Sequence, residues 1–322
     1  MANEVYVTAQ GDTLATSVLR NELELLLHQN PYMRRLLAYR GSTFRSGSTA
    51  IKQPQVDLDD VAESVNEGSG VSANTAITDA SYTLTPGRIA IKRRLSDALA
   101  GIDSTGLMAE EALANYNFTA IMKKIDALVG TAMASLTGTA GTSGVAATVD
   151  DLYTAQQTLR TRRVMGRKAL VLYPVQFNNL QSDMRGETGP LMTWAPVQAM
   201  AASTFGDDYQ GTLGDIDVWI SDAVPTANAG VDSGGALMQI PADSPTGGAP
   251  ADGFYTGDAA LAIATGSPAP VTLGNTRLQQ GGLVYSDIQG DNDLADSIIV
   301  TNMFVSVGVA LAGRGIKFIT LR

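Results

Sequence analysis

The chain contains no cysteine and a single histidine, His28. Without thiols there can be no disulfide, no thiolate metal site and no cysteine nucleophile, a composition compatible with a reducing cytoplasm. A Ser-His-Asp triad or a histidine metal cluster would have to use His28 itself, which sits close to Pro31 on an amphipathic segment. The expected role there is to meet helix C-terminal carbonyls. Aromatic residues are scarce at 6%, so a carboxylate pair such as Asp207-Asp208 lacks the aromatic groove of a glycoside hydrolase. No run of eighteen apolar residues occurs, and the start MANEVYVTAQGDT has neither the basic nor the apolar stretch of a signal peptide. A soluble protein with no membrane partner is expected. Basic charge is also short, 22 Lys and Arg against 32 Asp and Glu, for a formal net charge of −10. The basic groups Arg34-Arg35, Lys92-Arg93-Arg94 and Lys123-Lys124 are scattered rather than gathered into a stripe, which opposes tight binding to phosphate.

What is present is a folded chain, 44% apolar over 322 residues and long enough for about two or three cores of ordinary domain size. Leu19, Leu23, Leu26 and Leu27 share one helical stripe that Pro31 ends, forming an amphipathic arm. From Gly41 to Leu95 the texture becomes extended and polar. Ile89, Ile91, Arg93 and Leu95 alternate with Ala90, Lys92 and Arg94, the period of a strand, and STAIKQPQVDL upstream is the expected partner in a long two-stranded excursion. An isolated hairpin is marginal in water, so this one is expected to rest on something else. Phe118, Ile121, Met122, Ile125, Leu128, Val129, Ala132 and Leu136 then recur at helical steps, predicting a core-facing rod over Ser104 to Leu136 of about 45 Å.

After the linker TGTAGTSGVAA, Thr148 with Asp150 and Asp151 opens a helix, VDDLYTAQQTLRTRR, whose charges suit its dipole. The strand ALVLY, the helix PVQFNNLQSDM and the strand DIDVWISDAVP make a compact α/β unit, and ALMQI is a further strand. Near the end, Ile299, Met303, Val305, Val307, Val309 and Leu311 fall on one face of a strand about 50 Å long, close to the length of the rod helix.

Motifs with chemistry are few. DNDLAD lacks the glycine and glutamate of a calcium loop, and GSGVSA at Gly68 has no strand leading into it. No GxxxxGK[ST] loop exists. At Tyr173-Pro174 a strand breaks into a helix, where many α/β proteins bind a ligand. No glycines follow and no titratable cluster converges there, so the junction reads as structural. No catalytic, metal-binding or cofactor-binding residue is assigned, and no enzyme is expected.

The succession TVDDLYTAQQTLR, RKALVLYPVQFNNLQSDM, GTLGDIDVWISDAVP, GDAALAIATG and VYSDIQGDNDLADSIIVTNMFVSVGVALAGRGIKFIT, after a rod helix and a long hairpin, resembles the major capsid proteins of tailed bacteriophages. Encapsulin shells and the floor domain of herpesvirus capsids share that fold. The resemblance implies an α+β fold with an N-terminal arm (1–40), an extended loop (41–95) and a peripheral domain with the spine helix (96–146). An axial domain (147–251), returning peripheral strands (252–311) and a last axial strand (312–322) complete it. It implies a shell subunit that assembles into hexamers and pentamers around double-stranded DNA, contacted non-specifically, in a virion built in a bacterial host's cytoplasm. Expected partners are copies of itself, a portal, a cement or decoration protein and, since Met1 is not preceded by a long helical segment, a separate scaffolding protein. Leu19, Leu23, Arg34, Arg35, Lys52, Lys92, Arg93 and Arg94 are the intersubunit contacts so implied. Lys52 and Lys92 lie where some relatives form isopeptide bonds, but no asparagine partner or catalytic carboxylate is identified, and no cross-link is predicted. The alternatives are an encapsulin nanocompartment and an α/β ligand-binding protein or enzyme centred on Tyr173 to Met184.

Overall fold

A computed structural model describes residues 36–43, 50–56, 67, 79–96, 107–186, 194–196, 209–241, 258–266, 272–273, 276–277, 284–291 and 296–322. The first part holds strands β1 (Ala38–Ser42), β2 (Ile51–Val56), β3 (Asp79–Leu84) and β4 (Gly87–Ser96), then helix α1 (Leu107–Met133) and the short β5 (Thr139–Ala140). The middle holds α2 (Val149–Thr161), β6 (Lys168–Leu172), α3 (Pro174–Gly186), β7 (Trp194–Pro196), β8 (Tyr209–Leu213), β9 (Ile216–Ile220), β10 (Thr226–Ala227) and β11 (Asp232–Gln239). β12 (Leu261–Gly266), β13 (Thr272–Leu273), β14 (Thr276–Arg277), β15 (Val284–Asp291), β16 (Asp296–Val309) and β17 (Gly315–Leu321) follow.

The 14-residue β16 is the axis of the first sheet. Along one edge it pairs with β15 and then β12, set end to end, and along the other with β4. The DNDLAD stretch joins β15 to β16, with Asp291 opposite Asp296. At strand rise β16 spans about 48 Å and α1, with 27 residues, about 40 Å. Met303 and Val305 are buried and Val307 and Val309 pack against the same cluster, so the odd positions of β16 form the inner face, as their alternation predicts. Asn302, at an even position, accepts a hydrogen bond from Arg88 Nε at 2.6 Å.

The second sheet runs β5, β17, β11, β6, β9, β8, β7, with β10 added beside β11. β6 and β9 are parallel, and β11 is antiparallel to both β6 and β17. Its two faces have different covers. Leu170, Leu172, Val218, Leu237, Ile316 and Phe318 join Leu152, Leu159, Phe177 and Leu180 from α2 and α3 in one core. Ala169, Val171, Trp219, Ala236 and Met238, on the other face, join the core built around α1. α2 begins as its sequence predicts: Thr148 Oγ1 accepts from Asp151 N–H, and Asp151 in return accepts from the Thr148 backbone.

α1 is the element both sheets share. Ile121, Met122, Ile125, Val129, Ala132, Met133 and Leu136 are in one cluster with Leu261, Ile263, Met303 and Val305 of the first sheet and Val171, Trp219 and Met238 of the second. Gly130 lets the helix approach the loop after β9, where an added Cβ would stand 2.5 Å from the Ala223 carbonyl oxygen. The helix ends at Met133 rather than Leu136, and Leu136 tucks its side chain into the space left by Gly315. Arg162, at the end of α2, donates to the Thr137 carbonyl at 2.9 Å and the Gly313 carbonyl at 3.2 Å, tying three segments together.

The extended region departs from its predicted pairing. β2 pairs with β3, from Ile51 opposite Leu84 to Val56 opposite Asp79. The alternating stretch IAIKRRL instead lies in β4 and pairs with β16, Ile91 opposite Thr301. The physical reason is burial: the inner face of β16 needs a continuing sheet, while β3 offers the shorter closure to β2. The two-stranded ribbon rests, as expected, on something else. Leu84 packs with Ala262, Ala264 and Ala310, and an added Cβ on Gly308 would meet Leu84 at 2.8 Å. Small residues on the outer face of the first sheet make the seat for the ribbon's base.

Replacing Met303 or Val305 by aspartate places an unpaired charge between α1 and the first sheet, a cost of roughly 3–5 kcal/mol. Soluble yield and the thermal transition measured by circular dichroism should both collapse.

Candidate intersubunit surfaces

The strand-to-helix junction at Tyr173-Pro174 is closed by the protein itself. Gln176 is inaccessible to solvent. Its Oε1 accepts the Tyr173 N–H at 3.1 Å, and its Nε2 faces the Ser233 carbonyl at 2.9 Å, Thr320 Oγ1 at 2.8 Å and the Phe318 carbonyl at 3.3 Å. One amide therefore joins the start of α3 to β11 and β17. Gly235 leaves the room for it, since a Cβ there would stand 3.1 Å from Gln176 Oε1 and 2.6 Å from the Val171 carbonyl oxygen. The sequence gives no sign of this role, since a glutamine three residues into a helix after a strand carries no distinctive signal.

A second polar centre lies at the same end of the sheet. Asp232 is buried; its Oδ1 accepts Gly144 N–H at 2.8 Å, and its Oδ2 accepts Ser143 Oγ–H at 2.6 Å and the Asn228 side-chain amide. Asn228 and Ala229 adopt positive φ, making the tight turn that aims the amide. The stretch read as a linker, around Ser143 and Gly144, is thus pinned. The Ser143 hydroxyl, then the Gly144 amide and the Asn228 amide, hold the Asp232 carboxyl below its ordinary 3.8, against the opposing effect of burial. Where the sheets join, Arg314 Nη1 lies 3.1 Å from Gln239 Oε1 and 2.8 Å from Asp258 Oδ2, a half-exposed tie.

Between β4 and α1 a groove of about 390 Å³ is lined by Ile89, Ile91, Ala120 and Ile121, with Arg88 and Lys124 also on its walls. Among the described residues no cluster of three or more His, Cys, Asp or Glu could hold a metal, and none of the helices is long and apolar enough to cross a membrane.

The sequence-predicted contact residues are not gathered in one place. Lys52 is exposed on β2, opposite Thr83 of the ribbon, while Lys92 is exposed on β4, opposite Val300 of the first sheet. Arg93 and Arg94 also lie in β4, opposite Ile299 and Ile298, with side chains outside the described set. Leu19, Leu23, Arg34, Arg35, His28 and the GSGVSA stretch lie outside the described residues.

No family model and no curated protein matches the sequence. Solved structures do. The capsid of Ralstonia phage GP4 superposes with a TM-score of 0.55 at 10% identity, covering 87% of this chain and 86% of that one. The capsid of cyanophage P-SCSP1u gives 0.54 at 12% identity over 90% and 89%. This chain has the phage capsid fold. The holo-SrpI encapsulin complex of Synechococcus elongatus has it too, with a TM-score of 0.53 at 13% identity over 86% and 84%. The capsid fold accounts for the mixed α+β plan, few helices and many strands, that the sequence predicts.

Because the Asp232 carboxyl titrates below its ordinary value in the folded chain, its contribution is present above pH 3.8 and is lost as pH falls through the lowered value. Asp232→Asn should lower the melting temperature at neutral pH and flatten the loss of stability below pH 3.8, read from melts across an acid series. Gln176→Ala should cost about 1–3 kcal/mol in denaturant unfolding, because it leaves buried backbone groups without partners.

Proposed function

We propose that this protein is a major capsid protein, a structural subunit that assembles into hexamers and pentamers of an icosahedral shell around double-stranded DNA. The observation that carries the reading is the match of nearly the whole chain to the Ralstonia phage capsid, 87% of one and 86% of the other. Physical features support it. A strand of about 48 Å against a helix of about 40 Å makes an extended tile. At the strand end Gln176 is buried and bonded to Tyr173 and Ser233. A net charge of −10 suits a container whose wall should not hold phosphate tightly.

In this reading residues 1–40 form the arm that reaches a neighbour and 41–95 the extended loop. Residues 96–146 and 252–311 form the peripheral domain, and 147–251 with 312–322 the axial domain. Lys52, Lys92, Arg93 and Arg94, with Leu19, Leu23, Arg34 and Arg35 on the arm, are its intersubunit contacts. Copies of itself and a portal are its partners, and the virion, assembled in the host cytoplasm, is its location. The encapsulin match supports a second reading, a nanocompartment that loads a cargo enzyme.

Expressed with or without scaffold, the protein should form closed shells visible by negative-stain electron microscopy, and a strictly monomeric product would overturn the reading. Particles from the native source that contain double-stranded DNA favour the capsid over the nanocompartment; a packaged enzyme reverses that preference. Lys92→Ala with Arg93→Ala should keep the melting temperature while reducing shell yield.

A further inference from the structure

Between Asp151 and Asp183 the chain has no acidic residue, and Arg160, Arg162, Arg163, Arg167 and Lys168 all fall in one short run there, TLRTRRVMGRK. In a chain of net charge −10 this is a local reversal of sign. The fold neutralises one end of the run. Arg167 Nε lies 3.2 Å from Asp217 Oδ2 on β9, and Lys168 Nζ lies 3.7 Å from Asp215 Oδ2 in the turn before it. The other end is left charged. Arg160 and Arg163 are exposed, and among the described residues neither has an ion pair. Arg162 between them is held by the Thr137 and Gly313 carbonyls, neutral groups that leave its charge in place.

Nothing in the turn itself calls for an arginine at 163. α2 closes with the Arg163 N–H donating to the Arg160 carbonyl at 2.9 Å and the Val164 N–H donating to the Leu159 carbonyl at 3.0 Å, the two bonds of a Schellman motif. Val164 is buried in one core with Leu159, the apolar contact that accompanies such an ending. The residue that the motif sets in the left-handed region is ordinarily glycine, because a side chain there crowds the backbone. Here it is Arg163, at φ 54°. A strained position that carries an exposed, unpaired charge points to a partner outside the chain. The bend is also held still: the Met165 carbonyl accepts from Gln239 Nε2 at 2.8 Å, and Gln239 Oε1 accepts from Arg314 at 3.1 Å. Its guanidinium groups therefore stand on a backbone that needs no ordering when a partner arrives.

Guanidinium groups are planar, permanently charged and able to give two parallel N–H groups to one phosphate. We propose that this bend is where the chain touches the double-stranded DNA it encloses, Arg160 and Arg163 each on a backbone phosphate and Arg162 adding its charge beside them. The inference rests on the shell reading above and gives the duplex a defined footing on a wall that elsewhere repels it. Contacts to phosphate alone carry no base sequence. They are also few here, so the grip is weak and salt-sensitive, the logarithm of the binding constant falling by about 0.9 per phosphate for each tenfold rise in salt.

The test follows a short fluorescent DNA duplex by anisotropy against the full chain before assembly, across a salt series. Arg163→Gly should weaken binding severalfold and reduce the salt slope by about one, and Arg160→Ala should do the same. The melting temperature of Arg163→Gly should equal or exceed that of the wild type, since glycine relieves the left-handed residue; a purely structural arginine would give the opposite sign. Absence of duplex binding by the wild type at low salt, variants that bind as the wild type does, or a lowered melting temperature for Arg163→Gly would overturn the inference. So would a glutamate-rich peptide that binds at these arginines more tightly than the duplex, which would assign the bend to an acidic protein partner. Shells that form normally alongside any of these results leave the shell reading standing, whereas a strictly monomeric wild type removes that reading whatever the duplex does.

Discussion

The rest of the structure depends on one helix being long enough to lie against two sheets at once. Neither sheet can cover its own inner face: the first has Met303 and Val305 pointing inward, the second Val171, Trp219 and Met238, and all of them meet on α1. Each such side chain is worth about 1.5–3 kcal/mol when taken from water. The attraction is undirected, so close approach decides where it acts. Gly130 permits contact with the loop after β9, and Gly315 admits Leu136. A larger residue at either place would push the helix off one sheet and expose the core on that side. Arg162 and Arg314 add polar ties where the segments cross, but the shared apolar core sets the geometry.

Much of this was legible from local pattern. The repeat from Ile121 to Leu136 announces α1, the alternation from Met303 to Val309 announces the inner face of β16, and Thr148 with Asp151 marks the start of α2. What local pattern does not contain is the choice of a distant partner. IAIKRRL has the period of a strand, but its pairing with β16, about two hundred residues later, is fixed by the inner face that β16 must continue. The seat of the ribbon depends on Gly308, Ala262 and Ala264, whose smallness reads as nothing special until Leu84 is found against them. Ser143 and Gly144 look like linker residues because what orders them, Asp232, lies far along the chain.

Among the described residues several buried polar groups tie elements of the fold together. Gln176 serves α3, β11 and β17, Asn117 donates to Thr301 between α1 and β16, and Asp232 holds a turn and a loop. Buried polar networks of this kind specify one arrangement of the elements rather than adding much net stability. The fold so organised is shared with phage capsids and an encapsulin.

Native-state hydrogen exchange, followed residue by residue with increasing denaturant, tests the central claim most directly. If α1 welds the two sheets into one cooperative body, amides of β16 in the first sheet, of β11 and β17 in the second and of α1 between them share one opening free energy and one denaturant slope. The first sheet opening at markedly lower free energy while the second stays protected would contradict it.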